Sequence, residues 1–138
     1  MTALVVVTED DAFAAAIRAL AGADLSVTCV HVEEAVASAR HDRPDIVAVD
    51  ADSIRDPQSL IGALSLLTRA HIVAIAQQAW PTSRVAGELR MAGADAVLPK
   101  PSGRASPTLA GLDRDDYRSW FIALARRSAD DIAREAAP

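Results

Sequence analysis

The sequence predicts an α/β fold, a doubly wound five-stranded parallel sheet with helices on both faces. Three observations predict it. Short aliphatic runs alternate with stretches whose apolar residues recur at helical spacing, and they do so along most of the chain. The central run, Ile46-Val47-Ala48-Val49, is apolar without a break, as expected of a strand buried on both faces. The chain has 138 residues, 51% hydrophobic and 24% charged, which suits one domain with a proper core. Aromatic residues are only 4%, so that core is built mainly from Ala, Val, Leu and Ile.

Leu4–Val7 is the first strand. Phe13, Ala16, Ile17 and Leu20 then mark a first helix, with Asp11 as its N-cap and Gly22 as its stop. Leu25–Val30 is the second strand and Val32–Arg40 a short helix, followed by a turn at His41-Asp42-Arg43-Pro44. Ile46–Asp50 is the third strand. Asp56-Pro57 reads as N-cap and first residue of a third helix, with Leu60, Ala63, Leu64 and Leu67 as its apolar stripe. Ile72–Ala76 is the fourth strand. Pro81-Thr82 opens a fourth helix that buries Val85, Leu89 and Ala92 and stops at Gly93. Ala96–Leu98 is the fifth strand. Residues 102–112 read as a loop, and a last helix runs over 113–136 with Trp120, Ile122, Leu124 and Ile132 among its apolar positions. The whole chain, 1–138, is thus one domain with its core in 3–101. Right-handed crossovers leave few topologies, and the flavodoxin-like order 2-1-3-4-5 is the one expected.

Composition excludes several classes of function. A net charge of −5 argues against a nucleic-acid or anionic-membrane surface. No apolar stretch approaches the roughly 20 residues of a membrane helix, and no signal peptide is evident. One cysteine, Cys29, suits a reduced, cytoplasmic setting and reads as a buried, inert thiol. His31, His41 and His71 show no metal-ligand spacing and read as surface or capping residues. Trp80 is a loop residue packing on its own helix, and Tyr117, Trp120 and Phe121 anchor the last helix.

Asp50 ends the third strand, and in open α/β sheets ligands bind beyond the carboxyl ends of strands. The expected strand order puts Glu9 and Asp10 beside it. Clustered carboxylates repel unless a cation offsets them, and an all-oxygen crevice suits Mg²⁺. Lys100 follows the fifth strand, within reach of Asp50 or of a phosphoryl oxygen.

Three segments, Val-Val-Val-Thr-Glu-Asp-Asp, Pro-Asp-Ile-Val-Ala-Val-Asp and Ala-Gly-Ala-Asp-Ala-Val-Leu-Pro-Lys-Pro, resemble in that order the receiver domain of two-component response regulators. Lys100-Pro101-Ser102-Gly103 is similar to the receivers of chemotaxis methylesterases, but no glycine-rich nucleophile segment follows, so no esterase or other enzyme is expected. The resemblance implies that Glu9 and Asp10 are the metal-binding pair, that Asp50 accepts phosphate from a histidine kinase or phosphotransfer protein, and that Lys100 senses it. It adds the backbone carbonyl of Asp52 as a metal ligand. It implies signalling by binding a downstream protein, or a second copy, through the fourth helix, fifth strand and last helix. Three positions depart from the family pattern. Ala76 stands where a hydroxyl residue is usual, Val97 where an aromatic switch residue is usual, and the turn after Asp50 is Ala51-Asp52-Ser53-Ile54-Arg55-Asp56-Pro57. A second reading therefore stands beside the first: a phosphate-insensitive pseudo-receiver used for docking or dimerisation. A small nucleotide-binding enzyme is disfavoured, because no Gly-rich phosphate loop follows the first strand.

Overall fold

The structure, a computed structural model, describes residues 1–77, 79, 82–100 and 118–123. Five parallel strands, β1 (Thr2–Val7), β2 (Leu25–Val30), β3 (Ile46–Asp50), β4 (His71–Ala76) and β5 (Ala96–Pro99), form one sheet in the order β2-β1-β3-β4-β5. Between them run α1 (Asp11–Arg18), a 3₁₀ turn (Val32–Glu34) leading into α2 (Ala35–His41), α3 (Pro57–Leu67) and α4 (Arg84–Ala92). Residues 118–123 are helical. The fold is the flavodoxin-like one expected.

All five residues of β3 are fully buried, for a simple reason. Val47 and Val49 face one core with Ala35 and Ala39 of α2, Ile61 and Leu64 of α3, and Ala86 and Leu89 of α4. Ile46 and Ala48 face the other, with Phe13 and Ile17 of α1, and Phe121. Successive side chains of a strand point to opposite faces, so a strand between two helical layers has no polar position until it ends.

Several boundaries differ from expectation. The N-cap of α1 is Asp10, not Asp11: its backbone is extended, and Oδ1 accepts from the amides of Ala12 and Phe13 at 3.0 and 3.2 Å. The helix ends at Arg18 rather than running to Gly22, which instead bridges to Leu25. In α3, Ile61 takes the buried place expected for Leu67, which is exposed beside the C-terminus. α4 starts after Ser83, whose hydroxyl accepts from the Ala86 amide at 3.1 Å, and it buries Ala86 rather than Val85. Val32–Glu34 forms a 3₁₀ turn, so α2 is only Ala35–His41, and β1, β4 and β5 each extend one or two residues beyond expectation. Two helix ends stand where expected. Asp56 caps α3 ahead of Pro57. Gly93 stops α4 at φ 128°, where a side chain is strained and a Cβ would also meet Ser65 Oγ at 3.0 Å.

Phe121 is fully buried and anchors the segment, while Trp120 is partly exposed. Arg118 pairs with Asp24 and donates to the Leu20 carbonyl at 3.0 Å. The loop expected at 102–112, Trp80, Pro81, Tyr117, Leu124 and Ile132 lie outside the described residues. Among the described residues no helix is long and apolar enough to cross a membrane.

Candidate functional site

Register decides what meets at the carboxyl rim of the sheet. Val7 of β1 pairs with Val49 of β3, so the next residues, Thr8 and Asp50, lie side by side. Thr8 is buried, and its hydroxyl donates to Asp50 Oδ2 at 2.7 Å. That hydroxyl also accepts from the Asp10 amide at 3.0 Å. The Ser53 hydroxyl accepts from the Glu9 amide at 2.9 Å and lies 3.2 Å from the Asp50 carbonyl, to which it donates. Two short hydroxyl side chains thus fasten the acidic loop after β1 to the turn after β3.

Lys100 reaches the same point from β5. Its amide donates to the Ala76 carbonyl at 2.9 Å, which extends the β4–β5 pairing by one residue and fixes where the side chain begins. Its ammonium lies 3.1 Å from both oxygens of Asp50, 3.8 Å from Asp10 Oδ2 and 4.4 Å from the centre of the Phe13 ring. The ring face favours a cation there. The Asp50 side chain is fully buried and that of Lys100 is 10% exposed, so each is the other's main compensation for lost water.

The structure brings Asp10, Asp50 and Lys100 together and turns Glu9 elsewhere. Glu9 Oε1 accepts from the Val32 amide at 2.7 Å, and Oε2 lies 2.8 Å from His31 Nδ1. The Asp52 carboxylate accepts from the Gln77 amide at 2.8 Å, joining the turn after β3 to the end of β4. Ala76 and Val97 are both buried, presenting a methyl and an isopropyl group where the resemblance leads one to look for a hydroxyl and a ring. Sequence reading passed over Thr8, Ser53 and the His31–Glu9 pair. For Thr8 the signal was available: a hydroxyl one residue past β1, level with the carboxylate ending β3.

The Val32 amide, and then His31, hold the Glu9 carboxyl below its ordinary value of 4.5. The hydrogen bond and the charge of Glu9 raise the His31 imidazole above 6.5. The Glu9 contribution to stability is present above pH 4.5 and is lost as pH falls through the lowered value. The His31 contribution is full below pH 6.5 and is lost as pH rises through the raised value. In an NMR titration His31 is expected to change charge above pH 6.5, and Glu9→Gln to bring it back towards that value. An unmoved midpoint in the variant rules the pairing out in solution. Cys29 is only partly buried, not buried as expected, because β2 is an edge strand; desolvation still raises its pKa, which keeps the thiol unreactive.

The donor chemistry at this rim is all oxygen, which suits Mg²⁺. Asp10 Oδ2 fits such an ion; Asp50 fits it where Lys100 gives up one of the two oxygens it holds. Glu9 does not while His31 and Val32 hold both its oxygens, and among the described residues no three His, Cys, Asp or Glu side chains are grouped as ligands.

The same arrangement of strands and helices is found in solved structures. The response regulator domain of CheB from Thermotoga maritima superposes with a TM-score of 0.73 at 14% identity, over 94% of this chain and 97% of that one. This is the response-regulator receiver fold. Another match is CheY6 in its complex with the P1 domain of CheA3 from R. sphaeroides, with a TM-score of 0.67 at 23% identity, over 88% of this chain and 97% of the matched chain. A third is a Burkholderia pseudomallei response regulator with a phosphorylated aspartic acid, a calcium ion and citrate, with a TM-score of 0.62 at 23% identity, over 87% of this chain and 72% of that one. No family model and no curated protein matches the sequence. On this receiver fold, Asp50 stands at the end of the central strand, at the point where the strand order reverses.

Proposed function

We propose that this receiver-fold domain accepts a phosphoryl group on Asp50 from the phosphohistidine of a kinase or phosphotransfer protein, and signals by protein–protein contact. The observation that carries the reading is the Lys100 ammonium 3.1 Å from both oxygens of the buried Asp50 carboxylate, with Asp10 beside it. Asp50 Oδ2 is oriented by the Thr8 hydroxyl, which leaves Oδ1, held among the described residues by Lys100 alone, as the nucleophile. Oδ1 attacks phosphorus, the P–N bond breaks, and the electron pair stays on the imidazole nitrogen, giving an acyl phosphate. As negative charge gathers on the phosphoryl oxygens, Lys100 moves its hydrogen bonds from the carboxylate to them. Mg²⁺, held by Asp10, Asp50 and the Asp52 carbonyl, would neutralise part of that charge. Glu9 joins the ligand set only where His31 and Val32 release it. The solved CheY6 complex with a CheA3 P1 domain supports a protein partner of this kind. The face of α4, β5 and the last helix is the proposed output or dimer surface; α4 carries Met91 with its side chain almost fully in solvent.

Incubation with Mg²⁺ and acetyl phosphate is expected to add the mass of one phosphoryl group. The gain should vanish in Asp50→Asn and without the metal. Absence of any gain in the wild-type chain, with Mg²⁺ failing to bind, overturns the reading in favour of a pseudo-receiver docking module. The engaged Glu9 carboxylate and the missing hydroxyl at Ala76 favour that second reading.

A further inference from the structure

The opposite rim of the sheet holds a cavity of about 630 Å³, bounded by the C-terminal ends of α2 and α3 and the turns into β3 and β4. Arg40, Arg43 and Arg69 line it, with Pro44 and Leu67 as apolar wall and Asp45 as its one carboxylate. The chain carries a net charge of −5, so three guanidinium groups around one hollow run against its overall balance. Asp45 offsets one of the three charges but forms no ion pair with them; its Oδ2 accepts from the Ala3 amide at 2.8 Å. Among the described residues none of the three guanidinium groups has a hydrogen-bond or ion-pair partner. Arg40 sits in the last turn of α2, where a cation is favourable on its own account. Arg43 and Arg69 lie beyond the helix ends, and that account does not cover them.

The backbone adds an independent observation. Arg43 has φ 47°, in the left-handed region, which residues with a Cβ seldom occupy. The turn is pinned on both sides. The Asp42 amide donates to the Ser38 carbonyl at 2.9 Å, and the Ser38 hydroxyl donates to Asp42 Oδ2 at 2.7 Å. The Asp45 amide donates to the Ala3 carbonyl at 2.9 Å, and the Asp45 carbonyl accepts from the His71 amide at 3.0 Å. Arg43 is the residue after the α2 C-cap, where a left-handed backbone commonly ends a helix, so the cap itself fixes where this side chain leaves the chain at the cavity.

We propose that this cavity binds a small phosphate-bearing anion of nucleotide size, its phosphates on Arg40, Arg43 and Arg69 and its less polar part against Leu67 and Pro44. Guanidinium forks match phosphate oxygens two at a time, and a cleft of one sign concentrates the field on its ligand. The volume falls inside the range of about 300–1,000 Å³ typical of small-ligand sites, and a lone phosphate leaves most of it empty. The site lies roughly 13 Å along β3 from Asp50, so it stands or falls separately from phosphorylation there.

Isothermal titration of the full chain at physiological ionic strength, without Mg²⁺, tests this with ADP and with pyrophosphate. Saturable binding at one site per chain is expected for both, tighter for ADP. Arg40→Ala combined with Arg69→Ala should weaken it at least about tenfold. Arg43→Gly should do likewise while relieving the backbone, so its loss of binding is not a failure to fold. Asp50→Asn should still bind, which separates this anion from one at the other rim. The proposal is overturned by the absence of saturable binding, by affinity unchanged in the arginine variants, by loss in Asp50→Asn, or by binding of a polyglutamate peptide but of neither phosphate compound.

Discussion

Lys100→Ala is expected to lower stability by about 3 kcal/mol, near the low end of the range for removing one partner of a buried ion pair. The Asp50 side chain has no solvent exposure, and without Lys100 the Thr8 hydroxyl is its only remaining side-chain donor among the described residues. A buried carboxylate left in that state costs far more than the pair itself gains, which sets the size of the effect. For a chain of this length the melting temperature falls by about 10 °C. Asp50→Asn should cost much less, since Lys100 keeps Asp10 and the Phe13 ring and has some access to water. Combining Lys100→Met with Asp50→Ala should recover most of the loss, because the charge and its counter-charge leave together. Urea unfolding of the three variants checks this, and a double variant as unstable as Lys100→Ala sinks the explanation.

Phe121→Ala is expected to cost about 3–5 kcal/mol, the usual range for emptying a buried ring site. Phe121 is fully buried in the core that holds Phe13, Ile17, Leu20 and the inner residues of β1 and β3. Its truncation leaves a void that a sheet and a docked helix cannot close by small shifts. Phe121→Leu should cost only about 1 kcal/mol, as most of the volume is kept. The measured quantity is the urea midpoint, with the slope unchanged if the native and unfolded states stay as compact as before. A midpoint for Phe121→Ala close to wild type means that the segment around it does not pack on the sheet in solution.

The two variants probe different kinds of knowledge. The burial of β3 could be read from Ile46-Val47-Ala48-Val49, because an unbroken apolar run requires cover on both faces. The start of α3 could be read from Asp56-Pro57, because cap chemistry acts within four residues. The start of α1 could not. Asp10 and Asp11 are both good caps, and the choice turned on which backbone is extended where Thr8 and Ser53 tie the loop down. The stripe of α3 departs from expectation at Leu67 for a similar reason. A heptad-like count cannot tell a residue facing the core from one just past the edge of the sheet.

By itself the sequence determined the alternation of strands and helices, narrowed the sheet to a few parallel orders, and pointed to the carboxyl rim as the place where Asp50, Glu9, Asp10 and Lys100 gather. Those follow from local patterns and from the handedness of crossovers. Only the tertiary structure decided which partner each charged side chain takes: Lys100 with Asp50, Glu9 with His31 and Val32, Asp52 with the end of β4. Long polar side chains choose among several groups within reach, and that choice depends on distances set by residues far apart in the chain.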